Sequence, residues 1–335
     1  MSELETGTPQ PSNELEERLA QAGKLANAVE NEIGKAVVGQ KQVIREVLTA
    51  FLASGHVLLE GVPGLGKTLL VRALGQTFSG QSTRIQFTPD LMPSDIIGHT
   101  LYDMKQGRFD IRKGPIFTNL VLADEINRAP AKTQAALLEV MQEKQVTIEG
   151  QTMKTGLPFM VLATQNPIEQ EGTYPLPEAE LDRFMMKVNI DFPSEEEEFT
   201  MVGQVTTGKT GDVLDVSNLN QVLTPEQAIG LQQLVSMIPV DQKVVEYAIR
   251  ITRATRDWPG IIKGAGPRGS IALIRTARAH ALIRGSDFVV PDDIKTIAPS
   301  VLRHRIILSA ELELEGTRSD AVLQDIIDQI KAPRL

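Results

Sequence analysis

The sequence predicts an α/β fold in which a parallel sheet, covered by helices on both faces, is followed by an all-helical domain. Three observations carry this reading. Short apolar runs alternate with helical periodicity between residues 56 and 191, the pattern of strands joined by helical crossovers. A glycine-rich segment, GVPGLGKT at 61–68, joins one apolar run to a helical one. From Pro225 onward the periodicity is helical.

Length and composition set the bounds. The 335 residues suggest about two domains. An apolar share of 41% and a charged share of 23% belong to an ordinary globular chain. Asp and Glu total 43 against 34 Lys and Arg, a formal charge of −9, which argues against duplex DNA as the main partner. With no cysteine, disulfide scaffolds, thiolate metal sites and cysteine nucleophiles are excluded. No apolar run approaches the roughly 20 residues of a membrane span. The first residues lack a basic start and an apolar signal core, so a cytoplasmic location is expected.

Each element follows from spacing. Residues 1–13 are polar and contain proline, as in a flexible tail. Leu15, Leu19, Leu25, Val29 and Ile33 mark a helix over 14–37, and a second runs over 40–53. The next elements are a β-like run at 56–60, a helix at 69–78 and a strand at 84–87. An apolar strand at 119–123, a helix at 131–144 and strands at 159–164 and 187–191 complete the first domain. Ser194 before four glutamates reads as a capped helix start with acids at the positive dipole end. A polar loop at 206–220 leads to helices at 226–238, 242–256, 270–284 and 292–304. The expected division is a tail at 1–13, an α/β core at 14–192, a linker at 193–222 and a helical domain at 223–335.

The segment at 61–68 satisfies the phosphate-loop pattern, and its context fits, since a strand precedes it and a helix follows. Gly61, Pro63, Gly64 and Gly66 would turn backbone N–H groups toward phosphate oxygens, and Leu69 continues the helix. Lys67 would reach the β- and γ-phosphates of a nucleotide, and the Thr68 hydroxyl would ligate Mg²⁺. A control lies downstream. GQVTTGKT at 203–210 has the same spacing, but it follows an acidic helical run and precedes Gly211-Asp212, so it reads as a coincidence.

A second constellation completes the chemistry. The strand at 119–123 ends in Asp124 and Glu125. Two acids after a strand are by themselves more often a turn or a helix cap. The phosphate loop 57 residues upstream of Asp124 changes that reading: Asp124 would hold the metal and Glu125 would deprotonate an attacking water. The strand at 159–164 ends in Thr164-Gln165-Asn166, and Asn166 could contact the γ-phosphate or the water.

Together these residues resemble the AAA+ ATPases, a P-loop NTPase fold with a parallel-sheet core and a C-terminal all-α lid domain. The chain is most similar to the MoxR family within the helix-2-insert clade, over about residues 37–308. The similar stretches are VVGQ at 37–40, QFTPDLMPSD at 86–95, ADEINRAPAKTQAALLEVMQE at 123–143 and ATQNPIEQEGTYPLPEAELDRF at 163–184. The resemblance implies adenine contact at Val38 and Gly39, Walker A at Lys67 and Thr68, Walker B at Asp124 and Glu125, and sensor 1 at Asn166. It also implies an arginine finger at Arg183, acting on a neighbour's ATP, and sensor 2 at Arg268. Gly266 and Gly269 stand where the family usually has Ser and Ala, and they are expected to loosen the lid. Residues 95–116 and 145–156 match hairpins that face a central pore in the family. The function so implied is ATP-driven remodelling of client proteins by a ring, expected to be a hexamer, with a partner carrying a von Willebrand factor A domain. A nucleic-acid motor and a nucleotide-gated scaffold are the alternatives.

Overall fold

The computed structural model describes residues 13–62, 64–166, 172–206 and 216–334. Of the expected tail at 1–13, residues 1–12 fall outside the described residues and Asn13 opens the first helix; Pro63, residues 167–171 and residues 207–215 of the polar loop also fall outside.

Two helices come first, α1 (Asn13–Ala36) and α2 (Lys41–Leu52), before strand β1 (Val57–Glu60). Helix α3 (Lys67–Thr77), strand β2 (Ser82–Gln86) and a short α4 (Pro93–Ile97) follow. An antiparallel hairpin, β3 (Gly98–Asp103) with β4 (Arg108–Lys113), precedes β5 (Leu120–Asp124) and α5 (Ala131–Glu143). A second hairpin, β6 (Gln145–Ile148) with β7 (Gln151–Lys154), leads to β8 (Met160–Gln165), α6 (Glu178–Leu181) and β9 (Met186–Asn189). Helix α7 (Glu195–Thr206) begins at Ser194, whose hydroxyl accepts from the Glu197 N–H while the Glu197 carboxylate accepts from the Ser194 N–H.

The lid comprises α8 (Pro225–Met237), α9 (Gln242–Asp257), α10 (Pro267–Arg284) and α11 (Pro291–Leu302). It also holds a two-stranded ribbon of β10 (Ile261–Lys263) with β11 (Ile307–Leu308), and two closing helices, α12 (Ala310–Leu314) and α13 (Ser319–Gln329). The sequence reading reached the first four lid helices and missed the ribbon and the last two. Gly203, the start of the second GxxxxGKT match, lies within α7, so no strand leads into that segment.

The central sheet is parallel, with strand order β2-β5-β8-β1-β9. Period-two alternation divides its side chains between two cores. Leu59, Leu120, Leu122 and Leu162 face α1–α3 and the lid, whereas Leu58, Val121, Val161 and Ala163 face the core beneath α4 and α5. Helices α1 and α2 share the first core with α8–α11, so the lid is clasped to the sheet layer through them. Polar contacts reinforce the clasp: Gln232 donates to the Phe51 carbonyl at 2.7 Å, Ser300 to Glu46 at 2.6 Å, and Asn27 to the Ile283 carbonyl at 2.9 Å.

His56 shows how tightly the sheet and α5 are joined. The Val161 N–H donates to its Nδ1 at 2.9 Å, and its Nε2 lies 3.0 Å from the Met141 carbonyl oxygen. A neutral ring with its proton on Nε2 satisfies both contacts. Burial pushes its pKa from the usual 6.5 down to about 4. The unfolded chain therefore takes up a proton first as pH falls, so this stabilisation is complete above about pH 6.5 and is lost toward pH 4. Denaturant unfolding at pH 7 and pH 5 should differ by about 2 kcal/mol from this group alone. The difference should shrink in His56→Gln. An equal pH dependence in the two proteins would reject the assignment.

Candidate active site

The C-terminal edge of the sheet gathers the predicted residues. Strand β1 pairs with β8 in a register that sets Glu60 beside Gln165, and β8 pairs with β5 so that Ala163 lies beside Ala123. The tips of these strands are thereby adjacent, in the crevice where open α/β sheets bind ligands. One cavity of about 280 Å³ is lined by Gly64, Gly66, Lys67, Thr68, Asp124, Glu125 and Asn166, together with Arg84 and Thr164.

The loop geometry follows from its glycines. Gly64 and Gly66 have φ of 87° and 75°, in the left-handed region that a side chain disfavours. A Cβ at Gly61 would stand 2.6 Å from the Ile190 carbonyl oxygen, so the loop's start is pressed against the exit of β9. Lys67 opens α3, and its Nζ donates to the Gly61 carbonyl at 2.5 Å. Burial pushes the Lys67 ammonium below the usual lysine value, while Asp124, Glu125 and Glu60 draw it back up. Leu69 is the third residue of α3, within its first turn.

The carboxylate pair is braced by residues that sequence reading missed. Thr164 donates to Asp124 Oδ1 at 2.6 Å and accepts from the Glu125 N–H at 2.8 Å. Arg84 donates from two nitrogens to Asp124 Oδ2, at 3.0 and 2.6 Å. Gln86 donates to Glu125 at 2.9 Å, and Arg128 forms an ion pair with it at 3.0 Å. Glu125 itself has φ 54°, a strained backbone conformation that the bonds around it maintain. A residue two places from another on one strand and facing a strand tip was the available signal for Arg84 and Gln86.

Magnesium fits this donor set. Thr68 and Asp124 supply a hydroxyl and a carboxylate, hard oxygen ligands that leave further positions for phosphate and water. Among the described residues, no cluster of three or more His, Cys, Asp or Glu forms a metal cage. Magnesium is ordinarily held by one or two carboxylates with substrate phosphates, which does not require one.

The remaining predicted residues lie elsewhere. Val38 and Gly39 form the turn between α1 and α2, and the Glu197 side chain closes over Gly39, where a Cβ would meet it at 2.8 Å. Arg183 and Arg268 line a separate cavity of about 290 Å³, which shares no residue with that of Lys67. The Arg183 guanidinium donates to the Leu138 carbonyl at 2.9 Å, rather than pairing with Asp182. Asp182 is instead held by Arg305 at 2.8 Å and approached by Arg268 at 3.7 Å. Of the two glycines expected to loosen the lid, Gly266 stands in open space, where a Cβ would meet nothing within 4 Å, whereas Gly269 is packed. Gly269 is buried, and a Cβ there would stand 3.1 Å from Leu302, so the small residue permits close packing. The lid side of the phosphate loop carries a third cavity of about 510 Å³, in which Gly61 and Val62 face Arg318, Ser319 and Asp320 at the start of α13.

Comparison with known proteins fits this geometry. Residues 56–186 match the ATPase family associated with various cellular activities (AAA), and residues 253–326 match the AAA lid domain. YeaC of Bacillus subtilis, an uncharacterized protein, is 46% identical over 92% of this chain and 95% of its own length. Chaperone MoxR1 of Mycobacterium tuberculosis is 42% identical over 91% of this chain and 81% of its own. A crystal structure of a Cytophaga hutchinsonii protein matches with a TM-score of 0.88 and 41% identity, covering 96% of this chain and 98% of that one. With an AAA core, an AAA lid and full-length similarity to MoxR proteins, the chain belongs to the MoxR family of AAA+ ATPases.

Proposed function

We propose that this protein hydrolyses ATP within a ring and uses the reaction to remodel client proteins. The observation that carries the reading is the division of one catalytic set between two cavities. The phosphate loop, Asp124, Glu125 and Asn166 line one, while Arg183 and Arg268 line another that contains no phosphate loop. Neither cavity holds a full set of groups for phosphoryl transfer. Two copies together would supply it.

In this reading, loop amides and Lys67 cradle the phosphates, and Thr68 and Asp124 would hold Mg²⁺, which would supply charge neutralisation to the phosphates. Asn166 positions a water against the γ-phosphorus, and Glu125 takes its proton as the bond to the bridging oxygen breaks and ADP leaves with the electron pair. Arg183, joined by Arg268, comes from the adjoining subunit and offsets charge on the equatorial oxygens. Val38 and Gly39 contact the adenine.

Similarity to a protein named as a chaperone supports the client role. So does the β3–β4 hairpin, which exposes Leu101, Tyr102, Met104 and Phe109. A hexamer, a von Willebrand factor A domain partner and a cytoplasmic location belong to the same proposal. No helix among the described residues is long and apolar enough to cross a membrane.

Lys67→Ala should abolish tight ATP binding, and isothermal titration showing wild-type affinity would remove Lys67 from the site. Glu125→Gln should bind ATP normally while turnover falls roughly 100-fold or more; near-normal turnover would exclude Glu125 as the base. Arg183→Ala should bind ATP and lose about 10³-fold in turnover. Mixing it with Lys67→Ala subunits should restore part of that activity. No gain on mixing would refute the trans arrangement.

A further inference from the structure

The cavity beside Arg183 holds more positive charge than two arginines supply. Lys144, Arg183, Arg268, Arg275 and Arg305 line it, with Asp182 as the carboxylate among them. Most of these cations have a structural duty. Arg305 is saturated by Asp182 and by the carbonyls of Phe184 and Met185. Arg275 donates to the Ala53 carbonyl at 2.6 Å and fastens α10 to the end of α2. Asp182 is already engaged by Arg305 and approached by Arg268. The nearby Glu180 carboxyl is pushed up by burial and drawn back by Arg183.

Lys144 differs from them. It caps the end of α5 with φ 53°, and this left-handed turn lets its side chain line the cavity. Its backbone has work to do, since its carbonyl accepts from the Thr155 N–H and hydroxyl. Its Nζ has no hydrogen-bond or ion-pair partner among the described residues. Burial and the Arg275 guanidinium both push the ammonium below the usual lysine value. Lys144 is itself exposed, so in the single chain its ammonium is met by water and stays open to an anion brought against this cavity by another copy.

We propose that Lys144 is a further catalytic cation, whose ammonium reaches the terminal phosphate of ATP held by the adjoining subunit, beside Arg183. The inference rests on the trans reading above. In the reaction, water adds to the γ-phosphorus, the bond to the β–γ bridging oxygen breaks, the electron pair leaves with ADP, and the water proton passes to Glu125. Lys144 exchanges no proton; it offsets the charge that develops on the phosphoryl oxygens. A flexible point charge suits that task, because the fork of a guanidinium would need fixed geometry.

Lys144→Asn removes the charge while suiting the left-handed backbone, and Lys144→Arg keeps the charge. At protein concentrations that saturate assembly, Lys144→Asn should lower kcat by roughly ten- to a hundredfold while ATP affinity stays within about twofold. Lys144→Arg should recover most of the loss. Mixing Lys144→Asn with Lys67→Ala subunits, which carry an intact Lys144, should give more activity than either alone. A kcat within about twofold of wild type would overturn the inference. So would activity restored simply by raising protein concentration, which would mean that Lys144 pairs with a carboxylate at the subunit contact. If mixtures of Arg183→Ala with Lys67→Ala gain activity and those of Lys144→Asn do not, Lys144 alone loses its role. If neither mixture gains, the trans reading falls and this inference falls with it.

Discussion

The ion pair between Arg305 and Asp182 fixes how the lid meets the core. The Arg305 side chain is only 3% exposed, and removing a guanidinium from water costs several kcal/mol unless its donors are matched. Five acceptors lie within reach: the Asp182 carboxylate at 2.8 Å and the carbonyls of Phe184, Met185, Val301 and, more distantly, Asp182. Three of the four residues at 182–185 therefore adopt one shape around the end of α11. Arg183, the remaining one, is held in place between them. Arg268 meets the other oxygen of the same carboxylate, so the two arginines expected to act on phosphate belong to one rigid unit with the start of β9. His304 adds to this unit, with Nε2 3.0 Å from the Phe184 carbonyl, and burial keeps its ring neutral near pH 7.

The phosphate-loop side depends on a different constraint, the placing of strand tips by a parallel sheet. β8 lies between β5 and β1, so its tip separates the carboxylates from the loop. Thr164 makes that contact specific. One hydroxyl bridges the Asp124 carboxylate and the Glu125 N–H, which orients both acids from a neighbouring strand. Gln134 steadies the segment that follows, donating to the carbonyls of Ile126, Ala129 and Tyr174. Glu125 can hold a left-handed backbone because its amide, its carboxylate and the succeeding turn are each bonded.

Much of this was legible in the sequence, for local reasons. Apolar alternation is a property of each strand, and every core strand was found within a few residues of its ends. Glycines and a lysine at fixed spacing define a loop that folds on its own backbone. Contacts between distant segments are different, because nothing in a single stretch encodes them. Arg84 and Gln86 lie on β2 and reach acids about 40 residues away through strand pairing. Arg305 reads as one more basic residue in an RHR sequence until α11 is laid against residues 182–185. Helix α13 was missed because a short ribbon and α12 interrupt the periodicity before it. The separation of Arg268 from Lys67 was likewise invisible, since it depends on how α1 and α2 clasp the lid.

The net charge of −9 takes on a local meaning once these positions are known. An acidic chain would be expected to scatter its cations among its carboxylates, and most of its surface pairs do so. The cavity beside Arg183 departs from that rule, holding five cations to one carboxylate. The cavity around Lys67 is the opposite kind of place, lined by the carboxylates proposed as metal ligand and base, Asp124 and Glu125. A nucleoside triphosphate bound there would add negative charge to a site with few cations of its own. Bringing a cationic cavity of one copy against it would neutralise both, and complementary potentials of this kind steer and register association more than they add affinity. On the proposed reading, the bound nucleotide is therefore part of what holds adjoining subunits in register. Loss of its terminal phosphate would weaken that contact and the catalytic set together, which is how a hydrolysis event in one subunit can become motion between two.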